Sequence, residues 1–213
     1  MLSVKKFVVN MFGENTFLVF NSASKEAAII DAGMLYEDEW RSFSDFVTNE
    51  GLTVKYLLNT HLHIDHLFGV NEAIRRYGVG LSASLADEFL AERVAQQAAM
   101  FGITRPMAEV TIANPLNDGD EIRLGSETLK VIATPGHSLG GICFYNESNN
   151  MLFSGDTLFQ GGIGRTDLPG GNYATLIHSI TDRLLTLPDN TTVFPGHGPS
   201  TTIATERHHN PFL

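Results

Sequence analysis

The chain has 213 residues, with 24 acidic against 14 basic side chains and a formal charge of −10. That balance opposes general binding to nucleic-acid backbones or anionic lipid surfaces, and a lone cysteine, Cys143, excludes an internal disulfide or a cysteine-rich zinc knuckle. The 43% of hydrophobic residues suffices for one sizeable core. Because no export-type leader and no apolar span of about 20 residues is found, a cytoplasmic location is expected.

Short apolar runs at 6–9, 16–20 and 27–30 alternate with turn residues and predict successive antiparallel strands, the last closing on Asp31, Ala32 and Gly33. Residues 37–49 place Trp40, Phe43, Phe46 and Val47 at helical spacing, and 54–58 is a compact strand ending at Asn59 and Thr60. Leu67, Val70, Ala73, Ile74 and Tyr77 mark one face of a helix that stops at Gly78. Ser84 is a candidate cap for a second helix running to about residue 101. After an irregular stretch at 102–120, hairpins are expected from 121–124 with 128–133 and from 142–145 with 151–154. A helix over 172–187 and a strand over 192–194 follow, ahead of a polar tail. The mixture fits an α/β (α+β) chain of two packed sheets with helices outside, not a purely parallel doubly wound sheet.

The chemistry concentrates in Thr60-His61-Leu62-His63-Ile64-Asp65-His66. On extended chain, residues 61 and 63 project to the same side and reach one metal. Asp65 and His66 sit where strand gives way to helix, so the turning backbone can aim them at a second centre. Downstream, His137, Asp156 and His197 each follow a glycine just after a strand-like run. Seven candidate ligands, five His and two Asp, exceed what one tetrahedral ion uses but suit two divalent ions with water between them. Zinc is the expected metal, and iron or manganese also suits such donors.

Together HLHIDH, TPGHS, SGDTLF and PGHG resemble, in order, the metal-binding motifs of the metallo-β-lactamase superfamily. The resemblance implies a four-layer αββα sandwich with the metals at one edge of the paired sheets. It further implies His61, His63 and His137 on one metal, Asp65, His66 and His197 on the other, and Asp156 between them. Within the superfamily, the segments at 155–171 and 195–203 and the terminal pattern at 206–212 resemble small bacterial type II glyoxalases, the hydroxyacylglutathione hydrolases. The implied chain is one domain over 1–213 without a helical substrate domain. The implied reaction is hydrolysis of a small-molecule thioester such as S-lactoylglutathione, with Asp65 orienting the nucleophile. Where longer glyoxalases carry a Lys and a Tyr for glutathione, this chain has Arg165 and Asp167. Arg165 could grip a substrate carboxylate or pair with Asp167.

Three rival readings accompany that expectation: a persulfide dioxygenase holding a single iron, a branch whose Gly-Arg-Thr-Asp stretch is similar to 164–167; a secreted β-lactamase, which the missing export signal disfavours; and a non-enzymatic metal-binding module. The Gly161-Gly162-Ile163-Gly164 run lacks the phosphate-loop pattern and is expected to be a flexible rim of the site. His178, His208 and His209 are expected not to be ligands, and Cys143 is expected to be a buried strand residue. Oligomeric state is not legible from the sequence.

Overall fold

The computed structural model describes residues 1–213. The chain enters through an antiparallel meander, β1 (Leu2–Val9), β2 (Glu14–Asn21) and β3 (Glu26–Ile30), crosses through helix α1 (Glu37–Asn49) and returns in parallel as β4 (Thr53–Leu58). Helix α2 (Val70–Tyr77) leads to β5 (Leu81–Ala83), and helices α3 (Glu88–Ala91) and α4 (Val94–Met100) lead to β6 (Ile112–Pro115). These six strands form one sheet in the order β1-β2-β3-β4-β5-β6.

The second half builds a second sheet from β7 (Glu121–Leu124), β8 (Glu127–Ala133), β9 (Ile142–Asn146) and β10 (Met151–Gly155). A small ribbon follows, β11 (Leu158–Phe159) with β12 (Gly162–Ile163), and helix α5 (Tyr173–Ser179) runs on into a wider π-type turn over Ile180–Leu184. The strands β13 (Thr192–Pro195) and β14 (Thr201–Thr202) complete the order β14-β13-β10-β9-β8-β7, and helix α6 (Ile203–His209) packs outside.

Period-two alternation explains the layering. In β2, Phe17 and Val19 face the second sheet, where they meet Val131, Phe144 and Phe153, while Leu18 and Phe20 face α1 and its neighbours. Every residue of β2 is therefore buried. Trp40, Phe43 and Val47 of α1 cover the outside of the first sheet, and Leu176 and Ile180 cover the outside of the second together with Ile203. The expected four-layer αββα sandwich is the observed fold. No helix is long and apolar enough to cross a membrane.

Four segments differ from expectation. The helix expected from Ser84 to about residue 101 is broken. Ser84 does accept the Ala86 amide at 3.3 Å, but the Asp87 carboxylate is drawn inward by Leu62, Ser138 and Gly140, and the chain re-enters helix only at Glu88 and again at Val94. The stretch 102–120 contains β6, whose sequence IANP has no alternation because it is an edge strand with exposed positions. The tail contains β14 and α6, in which Glu206 is buried and accepts from the Gly161 amide at 2.9 Å. The 161–164 rim is an ordered ribbon: a Cβ on Gly164 would lie 1.9 Å from the Asp156 carbonyl oxygen, so the close approach itself requires glycine.

Candidate metal centre

The candidate ligands all sit where strands end. His61 and His63 follow β4, His63 in extended backbone, and Asp65 and His66 lie in a single 3₁₀ turn over Ile64–His66. His137 follows β8, Asp156 follows β10, and His197 follows β13. At Gly155 the backbone takes φ 50° and a Cβ would come within 2.2 Å of the Thr60 hydroxyl; glycine lets β10 end against the histidine segment and deliver Asp156. One half of the molecule supplies four of these side chains and the other half three.

All seven converge. Nitrogen and oxygen atoms of His61, His63 and His137 lie within 4.8 Å of one another, as do those of His61, His66 and Asp156 and those of Asp65, His66 and His197. His63 Nδ1 is 2.8 Å from His137 Nε2, which is 3.3 Å from His61 Nε2. Asp156 faces both groups, with Oδ2 at 3.7 Å from His137 Nε2 and 3.6 Å from His197 Nε2, and Oδ1 at 3.5 Å from His66 Nε2. Asp65 Oδ2 is 3.1 Å from His197 Nε2.

The proton inventory shows what this arrangement fits. The Arg165 carbonyl can only accept, so His137 Nδ1 donates to it at 2.7 Å, leaving Nε2 bare in the neutral ring. The Thr60 hydroxyl donates to Asp31 Oδ2 at 2.7 Å and so accepts from His61 Nδ1 at 3.1 Å, leaving His61 Nε2 bare as well. Burial, reinforced by the neighbouring imidazoles, pushes His61 down and His63 to about 3, so both rings stay neutral. Bare nitrogens facing one another repel unless a cation lies among them. His63 Nε2, both nitrogens of His66 and Asp156 Oδ1 are also buried without a hydrogen-bond partner. The donor set fits divalent metal.

Burial alone would push His66 down and Asp65 up. Asp65, Asp156 and Asp31 instead raise His66, and His66 and His197 hold Asp65 below the usual carboxylate range. His197 is raised by the Asp65 hydrogen bond and by Asp156, against its own burial.

Several supporting residues escaped the sequence reading. Asp31, at φ 56°, turns its carboxylate to accept the Thr60 amide and hydroxyl and lies 3.2 Å from His66 Nδ1. Its one local signal is a carboxylate closing a strand, which a turn explains equally well. The Asn15 side chain donates to the Pro195 and Gly198 carbonyls, both at 2.9 Å, and its amide donates to Gly196 at 2.7 Å, bracketing His197 on three sides. Asp87 accepts from Leu62, between the first two histidines, and from Ser138 and Gly140 beyond His137. No local pattern marks these long-range partners.

The cluster opens into a pocket of about 230 Å³ whose lining includes Phe12, Gln97, Phe101, Arg165 and Leu168. Arg165 forms a two-pronged pair with Asp167 at 2.7 and 2.6 Å. His178 pairs with Asp182 on the surface, and His208 and His209 end α6; none of the three joins the donor clusters. Cys143 is buried in β9, and burial pushes its thiol up to about 11.

Fold and donor set together define a two-sheet α/β protein with a histidine-rich metal-binding edge. Residues 9–197 match the Metallo-beta-lactamase superfamily, to which the chain belongs. Among its relatives, the probable metallo-hydrolase YqgX of Bacillus subtilis is 38% identical over 91% of this chain and 90% of its own length. Hydroxyacylglutathione hydrolase GloC of Haemophilus influenzae is 36% identical over 100% and 98%. The crystal structure of TTHA1623 in a di-iron-bound form matches with a TM-score of 0.86 and 33% identity, covering 99% of this chain and 100% of that one.

Proposed function

We propose that the protein is a metal-dependent thioester hydrolase that shares its reaction with the hydroxyacylglutathione hydrolases, producing a carboxylic acid and a thiol from a thioester and water. The observation that carries this reading is a pair of donor groups facing a shared carboxylate, Asp156, at the floor of an open pocket. His61, His63 and His137 would hold one ion, and Asp65, His66 and His197 the other. Bound there, two divalent ions supply a water activated at neutral pH and a Lewis acid for a carbonyl oxygen. Zinc is the proposed metal, and the di-iron form of a structural relative makes iron the main competitor.

The chain's own groups do the rest. Asp65 lies at the pocket surface, where an Oδ atom can accept a hydrogen bond from the attacking water and orient it. The Arg165 carbonyl fixes the tautomer of His137. The name of the Haemophilus relative supports thioesters as the substrate class. With a formal charge of −10, neither nucleic acid nor an anionic membrane is a proposed partner.

The test is elemental analysis of the purified protein paired with thioester hydrolysis assayed without oxygen. Two metals per chain and anaerobic cleavage support the reading. A single iron with oxygen uptake on a persulfide would replace it by a dioxygenase, and tight metal binding without turnover by a binding module. Asp156→Ala should abolish both metal retention and turnover.

A further inference from the structure

The pocket above the donor cluster is walled by Phe12, Leu90, Met100, Phe101, Leu168 and Pro169. Phe12 lies in the turn between β1 and β2, Leu90 in α3, Met100 and Phe101 at the end of α4, and Leu168 and Pro169 beyond the β11–β12 ribbon. Apolar side chains therefore arrive from four separate places in the chain. Phe12 is held in position by an edge-on contact with Phe101 at 5.2 Å and a stacked one with Phe68 at 6.2 Å. Met100 is 66% and Phe101 42% exposed, so both lie in water until something covers them.

Polar groups beyond the metal-facing ones are few and already committed. Arg165 provides the one guanidinium of the lining, and Asp167 engages it through two hydrogen bonds. The Gln97 amide nitrogen donates to the Leu62 and Leu90 carbonyls. The lining has no lysine and no second arginine for a carboxylate, and no acid other than Asp65 and Asp156 for an ammonium. A glutathione carrier brings two carboxylates and an ammonium, whose desolvation such a wall would leave uncompensated.

We infer that the site selects thioesters whose non-reacting portion is apolar, an aliphatic or aromatic group against the Phe12–Phe101 wall, and that the glutathione tripeptide is not its recognition element. This rests on the hydrolase reading for the reaction, in which water adds to the acyl carbon, the carbon–sulfur bond breaks, and the products are a carboxylic acid and a thiol. It rests on the pocket alone for the binding preference.

The decisive measurement is calorimetric binding to the metal-loaded protein of acetate, hexanoate, phenylacetate and S-methylglutathione, alongside turnover of acetyl and hexanoyl thioesters of N-acetylcysteamine and of S-lactoylglutathione. Hexanoate and phenylacetate should bind at least about tenfold more tightly than acetate and more tightly than S-methylglutathione. Phe101→Ala should erase most of that gain, and Met100→Ser, at a more exposed position, should reduce it. Equal binding of acetate and hexanoate, or tightest binding of S-methylglutathione, would overturn the inference. Selective apolar binding with no thioester cleaved would instead sink the hydrolase reading and leave the apolar preference standing.

Discussion

Asp31 accepts both the amide and the hydroxyl hydrogen of Thr60 at 2.7 Å, and through that hydroxyl it sets which nitrogen of His61 faces the donor cluster. The same carboxylate lies beside His66. Removing it frees two imidazoles that belong to different donor groups. Asp31→Ala should therefore weaken retention of both metals by about 10–100-fold in chelator competition. Unchanged retention would show that the orientation of these rings is fixed by packing alone.

Asn15 acts on one side of the cluster only. Its side chain bridges the carbonyls before and after His197. Asn15→Ala leaves the backbone bond to Gly196 intact but strands those two acceptors, at about 1–3 kcal/mol of stability. Metal titration should then show the ion at Asp65, His66 and His197 lost at chelator levels that spare the other. Parallel loss of both would argue against a local clamp.

Two glycines flanking His197 differ sharply in what surrounds them. A Cβ on Gly196 would meet Asp156 Oδ1 at 2.2 Å and His66 Cε1 at 2.8 Å, whereas one on Gly198 meets nothing within 4 Å but is strained by φ 75°. Gly196→Ala should collapse metal binding. Gly198→Ala should cost about 1 kcal/mol of stability and keep its metals. Metal content of the two purified variants separates the cases.

Far from the site, the Ala133 amide and the Arg183 guanidinium hold the Asp118 carboxyl below its ordinary value. A depressed carboxylate contributes stability above its unfolded pKa and loses it as pH falls through the folded one. The group is half exposed, so solvent screening limits the Arg183 pair to about 0.5 kcal/mol. Asp118→Asn should be less stable than the parent in urea at about pH 7, and the gap should begin to narrow near the unfolded value of about pH 3.9 and vanish only below the depressed folded one. A gap that persisted in acid would assign the effect to something other than ionisation.

The candidate donor cluster was legible because ligand chemistry admits few residue types and four of its members fall within residues 61–66, a spacing that needs no tertiary knowledge. The sheets were legible where a compact apolar run or a hairpin turn was present, as in β2 and the β7–β8 pair. What escaped depends on partners distant in sequence. Asp87 interrupts a helix because groups as far along the chain as Ser138 and Gly140 claim its carboxylate. Strand β6 carries no alternation because little of it is buried, and α6 looks like a tail until the burial of Glu206 is known. Asn15 carries no local mark, since its two acceptors lie about 180 positions away.

Because His61, His63, Asp65 and His66 come from one half of the sandwich and His137, Asp156 and His197 from the other, an ion held as proposed would work as a rivet through their seam. Heating or denaturant must part that seam before the last donor lets go. Loading should therefore raise the melting temperature in step with the logarithm of free metal, and apo protein should open along the sheet–sheet junction first, exposing Phe17, Phe144 and Phe153 to hydrogen exchange and protease.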